Sequence, residues 1–208
     1  MSPRTLVERI EQNRFAGREF LLWLWFESIV FETNLSPTGE GSCALWLETR
    51  LSLVFEKDET RVSTAVPGVA PEAREALRQG KLPREARLRL TRGEHEYAWL
   101  FKTDTLSIST LAIPAELDAK KDDVHEVLYE RMRLVEELEA TLEALCSDFL
   151  SLRLSDAWET AVIPALRRFA RGEAVDADAY GTAKQRATGK RGRGVVAKNT
   201  AGDHAASA

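Results

Sequence analysis

Two cysteines and three histidines among 208 residues leave little material for a metal centre or a disulfide framework. Cys43 and Cys146 stand far apart, and neither lies in a CxxC or Cys/His spacing. A reducing, cytoplasmic setting fits this usage. Long apolar runs are also missing. The longest relevant one, Phe20 to Phe26 inside "GREFLLWLWFES", is seven residues, far short of the ~20 that span a bilayer, and no small-x-small cleavage site follows it. Neither membrane insertion nor export is expected.

Catalytic signatures are lacking too. "HEVLY" at 125–129 has Tyr129 where the zinc-binding HExxH pattern needs its second histidine, which leaves His125 as a residue near a helix start. "TGEGS" (38–42) has no lysine for a phosphate loop, and "ATGKRGRG" has neither the upstream glycine nor the Ser/Thr that would hold magnesium. No GxSxG occurs. In "EHE" (94–96) strand alternation would send His95 to the opposite face from its neighbours. No catalytic residue, metal ligand or cofactor is assigned, and the chain is expected not to be an enzyme.

What the chain does have is a composition of 44% apolar and 30% charged residues, enough to bury a core as one domain with or without a tail. The Phe20–Phe26 run is bounded by Gly17 and Glu19, with no turn residue until Asn34, which predicts a buried helix over roughly 17–28. After "NLSPTGEGS" the period changes to two. Cys43, Leu45, Leu47, Thr49, Leu51, Leu53 and Phe55 form one face of a long strand, and "TRVSTAV" (60–66) is its hairpin partner.

A short helix starts at Pro71 and ends before Gly80. Two further strands flank Arg92-Gly93. A two-residue turn there would set Leu88 opposite Tyr97, Leu90 opposite His95 and Arg89 opposite Glu96. "TLSISTLAI" (105–113) supplies a fifth strand.

From Asp122 a long helix is predicted. Leu128, Val135, Leu142 and Phe149 repeat every seven residues, Val124, Leu138, Leu145 and Leu152 hold the second seam position, and Arg131 breaks it. Nine acids, against Arg131, Arg133 and Arg153, make this helix repel phosphate. Its seam could be covered by "SDAWETAVIPALRRF" as a helix hairpin, with Ser155 capping and Pro164 kinking or restarting the helix, or by a second chain as a dimeric coiled coil. The fold class is thus α+β: a mainly antiparallel sheet of about five strands, an N-terminal buried helix and a long C-terminal helix folded against a shorter one. Residues 1–172 form the domain. The stretch 173–208 is read as a disordered tail, basic because residues 179–202 hold six cations and no acid.

"GREFLLWLWFES", "ALWLETRLSLVFE", "EAREALRQGKLPREARLRL" and "LYERMRLVEELEATLEALCSDFLSLRLSDAWETAVIPALRRF" together resemble the C-terminal half of the recombination-associated protein RdgC family, in its delta-proteobacterial form, over about residues 15–171. The resemblance implies a cytoplasmic or nucleoid-associated protein that binds DNA with little sequence preference. It also implies membership of a group whose proteins form ring-like dimers around duplex DNA and restrain the RecA recombinase. Family members carry a further N-terminal half ahead of the "GREF" motif, where this chain has 16 residues, so neither ring closure nor RecA-related activity is carried over. No functional residue is transferred either.

On physical grounds two basic clusters could meet nucleic acid. The first is Arg78, Lys81, Arg84, Arg87, Arg89 and Arg92, with Arg87 and Arg89 on one outward strand face able to track phosphates. The bland counterpart is a solvated face whose charges pair with Glu94 and Glu96. The second is the tail, with Lys184, Arg186, Lys190, Arg191, Arg193 and Lys198 between glycines; it suits loose backbone binding, or simply confers solubility. Two functions follow: a sequence-nonspecific DNA-binding protein related to recombination control, or a non-catalytic interaction module. The latter would act through the helix at 122–153 on a homodimer or separate protein partner, without nucleic acid.

Overall fold

The computed structural model describes residues 15–31 and 43–189. Its elements, in chain order, are α1 (Phe15–Val30), β1 (Cys43–Phe55), β2 (Asp58–Val62), a single 3-10 turn (Pro67–Val69), α2 (Pro71–Arg78), β3 (Leu82–Arg92), β4 (His95–Lys102), β5 (Ser107–Ala112), α3 (Val124–Arg153), a π-helical turn (Trp158–Val162), α4 (Ile163–Arg171) and α5 (Ala177–Thr188). The strands form one antiparallel sheet in the order β2-β1-β3-β4-β5. The α+β class and the five strands are as expected. Among the described residues no helix is long and apolar enough to cross a membrane.

The apolar run is the centre of the core. α1 lies on the inner face of β1 and β3, and its Leu21, Trp23, Leu24, Trp25 and Phe26 are buried. Phe20 packs on Phe101 of β4 and on Phe149 of α3, and Trp23 also meets Phe149. A helix buried on all sides has no polar face, which explains why its sequence shows no amphipathic period. Burying each such ring contributes about 2–3 kcal/mol.

Local corrections have local causes. β1 keeps its alternation from Cys43 to Leu47. It then bulges, because Leu47 pairs with Leu88 while Leu51 pairs with Ala86, so three residues oppose one. Thr49, at φ 53°, is exposed at the bulge, and Phe55 at the strand end is 54% exposed, so neither belongs to the buried face. β2 starts earlier than expected and stops at Val62. In the β3–β4 hairpin Arg92 pairs with His95, so the turn is Gly93-Glu94 rather than Arg92-Gly93. Leu88 therefore faces Trp99, Leu90 faces Tyr97, and Arg89 faces Ala98. The register moves by two, which preserves which residues point inward.

α3 shows a larger difference. Asp123 caps it, accepting from the His125 and Glu126 N–H groups. Its core-facing residues are Val127, Leu134, Leu138, Thr141, Leu145, Asp148, Phe149 and Leu152. Leu138, Leu145, Phe149 and Leu152 agree with the seven-residue seam, but Val124, Leu128, Val135 and Leu142 do not take the buried places. Over its first half the helix is turned by about one residue, ~100°, from the expected seam. The segment before the helix accounts for this. The Glu130 carboxylate accepts from the N–H groups of Glu116 (2.7 Å) and Leu117, which draws residues 113–117 onto the α3 side that Val127 and Leu134 occupy.

The predicted helix hairpin is also corrected. Pro164 does restart a helix, and Trp158 stacks edge-on against Phe149 at 5.7 Å. Beyond that point α4 leaves α3 and packs on α2, while Phe169 seats against Trp25 and Phe26 of α1. The aromatic surface of α1 is the larger apolar target.

The domain boundary moves as well. Residues 177–188, expected in the tail, form α5, capped by Asp176 and packed through buried Tyr180. Lys190, Arg191, Arg193 and Lys198 lie outside the described residues.

Candidate functional site

The first basic cluster does not converge. Arg78 on α2 pairs with Glu75 at 2.6 Å. Lys81 is buried, held by Asp58 (2.8 Å) and by the Thr60 hydroxyl (2.7 Å). Arg84 reaches Asp104, which Arg18 also binds. Arg92 turns away from the others, toward α3, and donates to Thr141 at 2.8 Å. It therefore belongs to the inner end of the sheet, because its partner His95 sits at the hairpin turn under that helix.

Arg87 and Arg89 do share the outward face, as alternation predicted. Among the described residues no helix covers that side, but it is not a free cationic surface. Arg89 binds Glu48 and, at 2.5 Å, Glu96; Arg87 reaches Glu48 at 3.6 Å. Arg50 pairs with Glu85 at 2.7 Å, and Arg61 with Glu59 at 3.0 Å. Four arginines thus meet four glutamates. Hydrogen bonds from Arg61 and then Ser52 hold the Glu59 carboxyl down at about 2, and the Glu48 contact raises the Arg89 guanidinium. Glu48, on β1, takes the part expected of Glu94, since antiparallel pairing puts Trp46 opposite Arg89 and brings the next outward residue between the two arginines.

A second polar group fixes α3 to the sheet and escaped the sequence reading. His95 Nδ1 lies 3.1 Å from the Glu137 carboxylate, Arg133 reaches it at 3.6 Å, and Arg92 reaches it at 3.9 Å. The buried Tyr97 hydroxyl lies near Glu137 without a formed hydrogen bond; burial first, then the Glu137 charge, pushes it up to about 12. His95 and Glu96 point to opposite faces, as alternation requires. The sequence signal available was only the Arg92/His95 placement at a hairpin turn. Its partner, Glu137, is one of many acids on α3.

With α3 clamped there, its first three turns present an apolar row to solvent. Val124 is 70% exposed, Leu128 52% and Met132 49%, and Tyr129 stands beside them. Arg131, Met132, Val135 and Glu136 line a shallow hollow in this row. The row continues through half-buried Leu142 and Cys146 to exposed Leu150. One helix thus carries a buried and an exposed apolar stripe.

Lys184 and Arg186, from the second basic cluster, part company. Lys184 binds the buried Glu27 at 2.6 Å and lies over the Trp23 ring, whereas Arg186 is exposed. Among the described residues no group of three or more His, Cys, Asp or Glu could hold a metal ion. Comparison of the chain with protein-family models, with curated proteins and with solved structures finds no match.

Proposed function

We propose that the chain is a non-catalytic protein-interaction module of the cytoplasm that docks a protein through the outward row of α3. The observation that carries this is the exposure of Val124, Leu128 and Met132 on a helix whose other side is anchored in the core. Apolar side chains in a continuous helical row, rimmed by Glu136, Glu139 and Glu143, have the anatomy of a docking face with a polar border. In an extract of its source cells the tagged chain should sediment in an assembly larger than its own 23.3 kDa. A Leu128→Glu, Met132→Glu variant, with an unchanged melting curve, should sediment as the free chain. Wild type running as the free chain throughout would remove the proposal.

A second reading is a sequence-nonspecific DNA-binding protein of RdgC type, related to recombination control and nucleoid-associated. It is favoured by Arg87 and Arg89 side by side on the uncovered sheet face, by the acid-free stretch 179–202, and by the resemblance in "GREFLLWLWFES". The neutralised charge of the sheet face weighs against those two arginines and shifts this reading toward Arg186 and the cations beyond 189. Anisotropy of a labelled duplex should then rise at ~50 mM salt, fall steeply by ~200 mM, and be lost in a chain ending at Gly189. No binding at low salt by the folded full chain would end this reading.

A further inference from the structure

We infer that the occupant of the α3 row is the same row of a second copy of this chain, running antiparallel about a two-fold axis at Val135. This rests on α3 being the docking surface. Two charges carry it: Arg131 and Glu139 are both exposed, and neither has an ion pair or hydrogen bond among the described residues. Their own helix offers them none. The positions three and four away from Arg131 are Val127, Leu128, Leu134 and Val135, and those around Glu139 are Val135, Glu136, Leu142 and Glu143. On the outward sheet face, by contrast, each arginine has found an acid.

Val135 is the midpoint of Arg131 and Glu139. An antiparallel two-fold there sets Arg131 of each copy in one layer with Glu139 of the other. The same axis sets Leu128 beside the second copy's Leu142 and Val124 beside its Cys146, because those pairs share the same midpoint. At 100° per residue all of these lie within ~40° of one line along the helix, so they can meet a facing helix together. Parallel pairing would instead stack Arg131 on Arg131 and Glu139 on Glu139, like charge against like. A strip ~40 Å long and ~10 Å wide buries roughly 400 Å² per copy, about half the usual protein–protein interface. The dimer is therefore weak and concentration-dependent.

Sedimentation equilibrium of the full chain from about 1 to about 200 µM tests this. A reversible monomer–dimer equilibrium is expected. Arg131→Glu and Glu139→Arg should each weaken it roughly tenfold, and the double variant, which restores opposite charges, should recover it. Under mild oxidation a Val124→Cys variant should give a disulfide to native Cys146 between copies, a product that parallel pairing does not form. A monomer over the whole range, in a chain that still enters a larger assembly in extract, would overturn self-pairing while leaving the docking surface standing. A dimer indifferent to Leu128→Glu would overturn self-pairing through α3.

Discussion

The ammonium of Lys184 lies 2.6 Å from a carboxylate oxygen of Glu27, a residue only 1% exposed and 157 positions earlier in the chain. The Tyr180 hydroxyl donates to the other oxygen at 2.5 Å and accepts from Trp23 Nε1 at 2.9 Å. Both partners of the buried carboxylate that come from α5 sit one helical turn apart, so α5 is the element that makes Glu27 tolerable inside the core.

Lys184→Ala should destabilise the fold by about 2–3 kcal/mol in urea titration. That is somewhat below the ~3–5 kcal/mol for a fully buried pair, because Lys184 keeps some solvent contact. Adding Glu27→Leu should recover part of the loss. A chain ending at residue 172 should lose more than the single variant. A melt unchanged by removal of α5 would contradict the role assigned to it.

The Trp25 indole donates to the Gly68 carbonyl at 2.9 Å, and a Cβ on Gly68 would stand 2.7 Å from that same nitrogen. Gly68→Ala must therefore push a core tryptophan or the 3-10 turn aside, at a cost of about 1–3 kcal/mol. Thermal melts, together with the tryptophan emission maximum, would show it.

The rotation of α3 makes a paired prediction. Leu134→Ala should cost about 2–4 kcal/mol, since Leu134 is buried, while Leu128→Ala should cost less than about 0.5 kcal/mol in the monomer. Equal losses would restore the seven-residue seam as the buried one.

Alkaline unfolding supplies a fourth measurement. Tyr97, pushed up to about 12, is protonated in both folded and unfolded chains below pH 10, where its contribution is fully present. Between pH 10 and 12 only the unfolded chain releases the proton, so stability falls as pH rises, by about 2–3 kcal/mol. Tyr180, raised by burial and by Glu27, acts in the same direction. Tyr97→Phe removes a hydroxyl with no hydrogen bond, so it should leave neutral-pH stability within about 0.5 kcal/mol and move the alkaline midpoint upward in a circular-dichroism titration. An unmoved midpoint would reject the assignment.

The elements were legible where a single stretch carries its own instruction. Seven apolar residues in a row admit only burial, alternation around Leu45, Leu47 and Leu51 admits only a half-buried strand, and Pro71 and Gly80 bracket a helix through their backbone preferences. The outward placement of Arg87 and Arg89 followed from the same alternation. Their neutralisation did not, because Glu48 comes from β1 and reaches them only through sheet pairing. The α3 faces show the same divide. Its sequence repeats apolar residues on two adjacent lines, and composition cannot say which line faces the core. That was decided by Glu130 drawing residues 113–117 onto one side and by Glu137 meeting His95 and Arg92. α5 was read as tail because the partner that Tyr180 and Lys184 bind, the Glu27 carboxylate, lies on α1, 153 and 157 positions away in the chain. The sequence by itself determined the α+β class, the five strands and the helices from α1 to α4, because backbone preference and periodicity are local. Only tertiary structure decided which charges are matched, which helix face remains open and that residues 177–188 join the core, because each depends on groups brought together from distant parts of the chain.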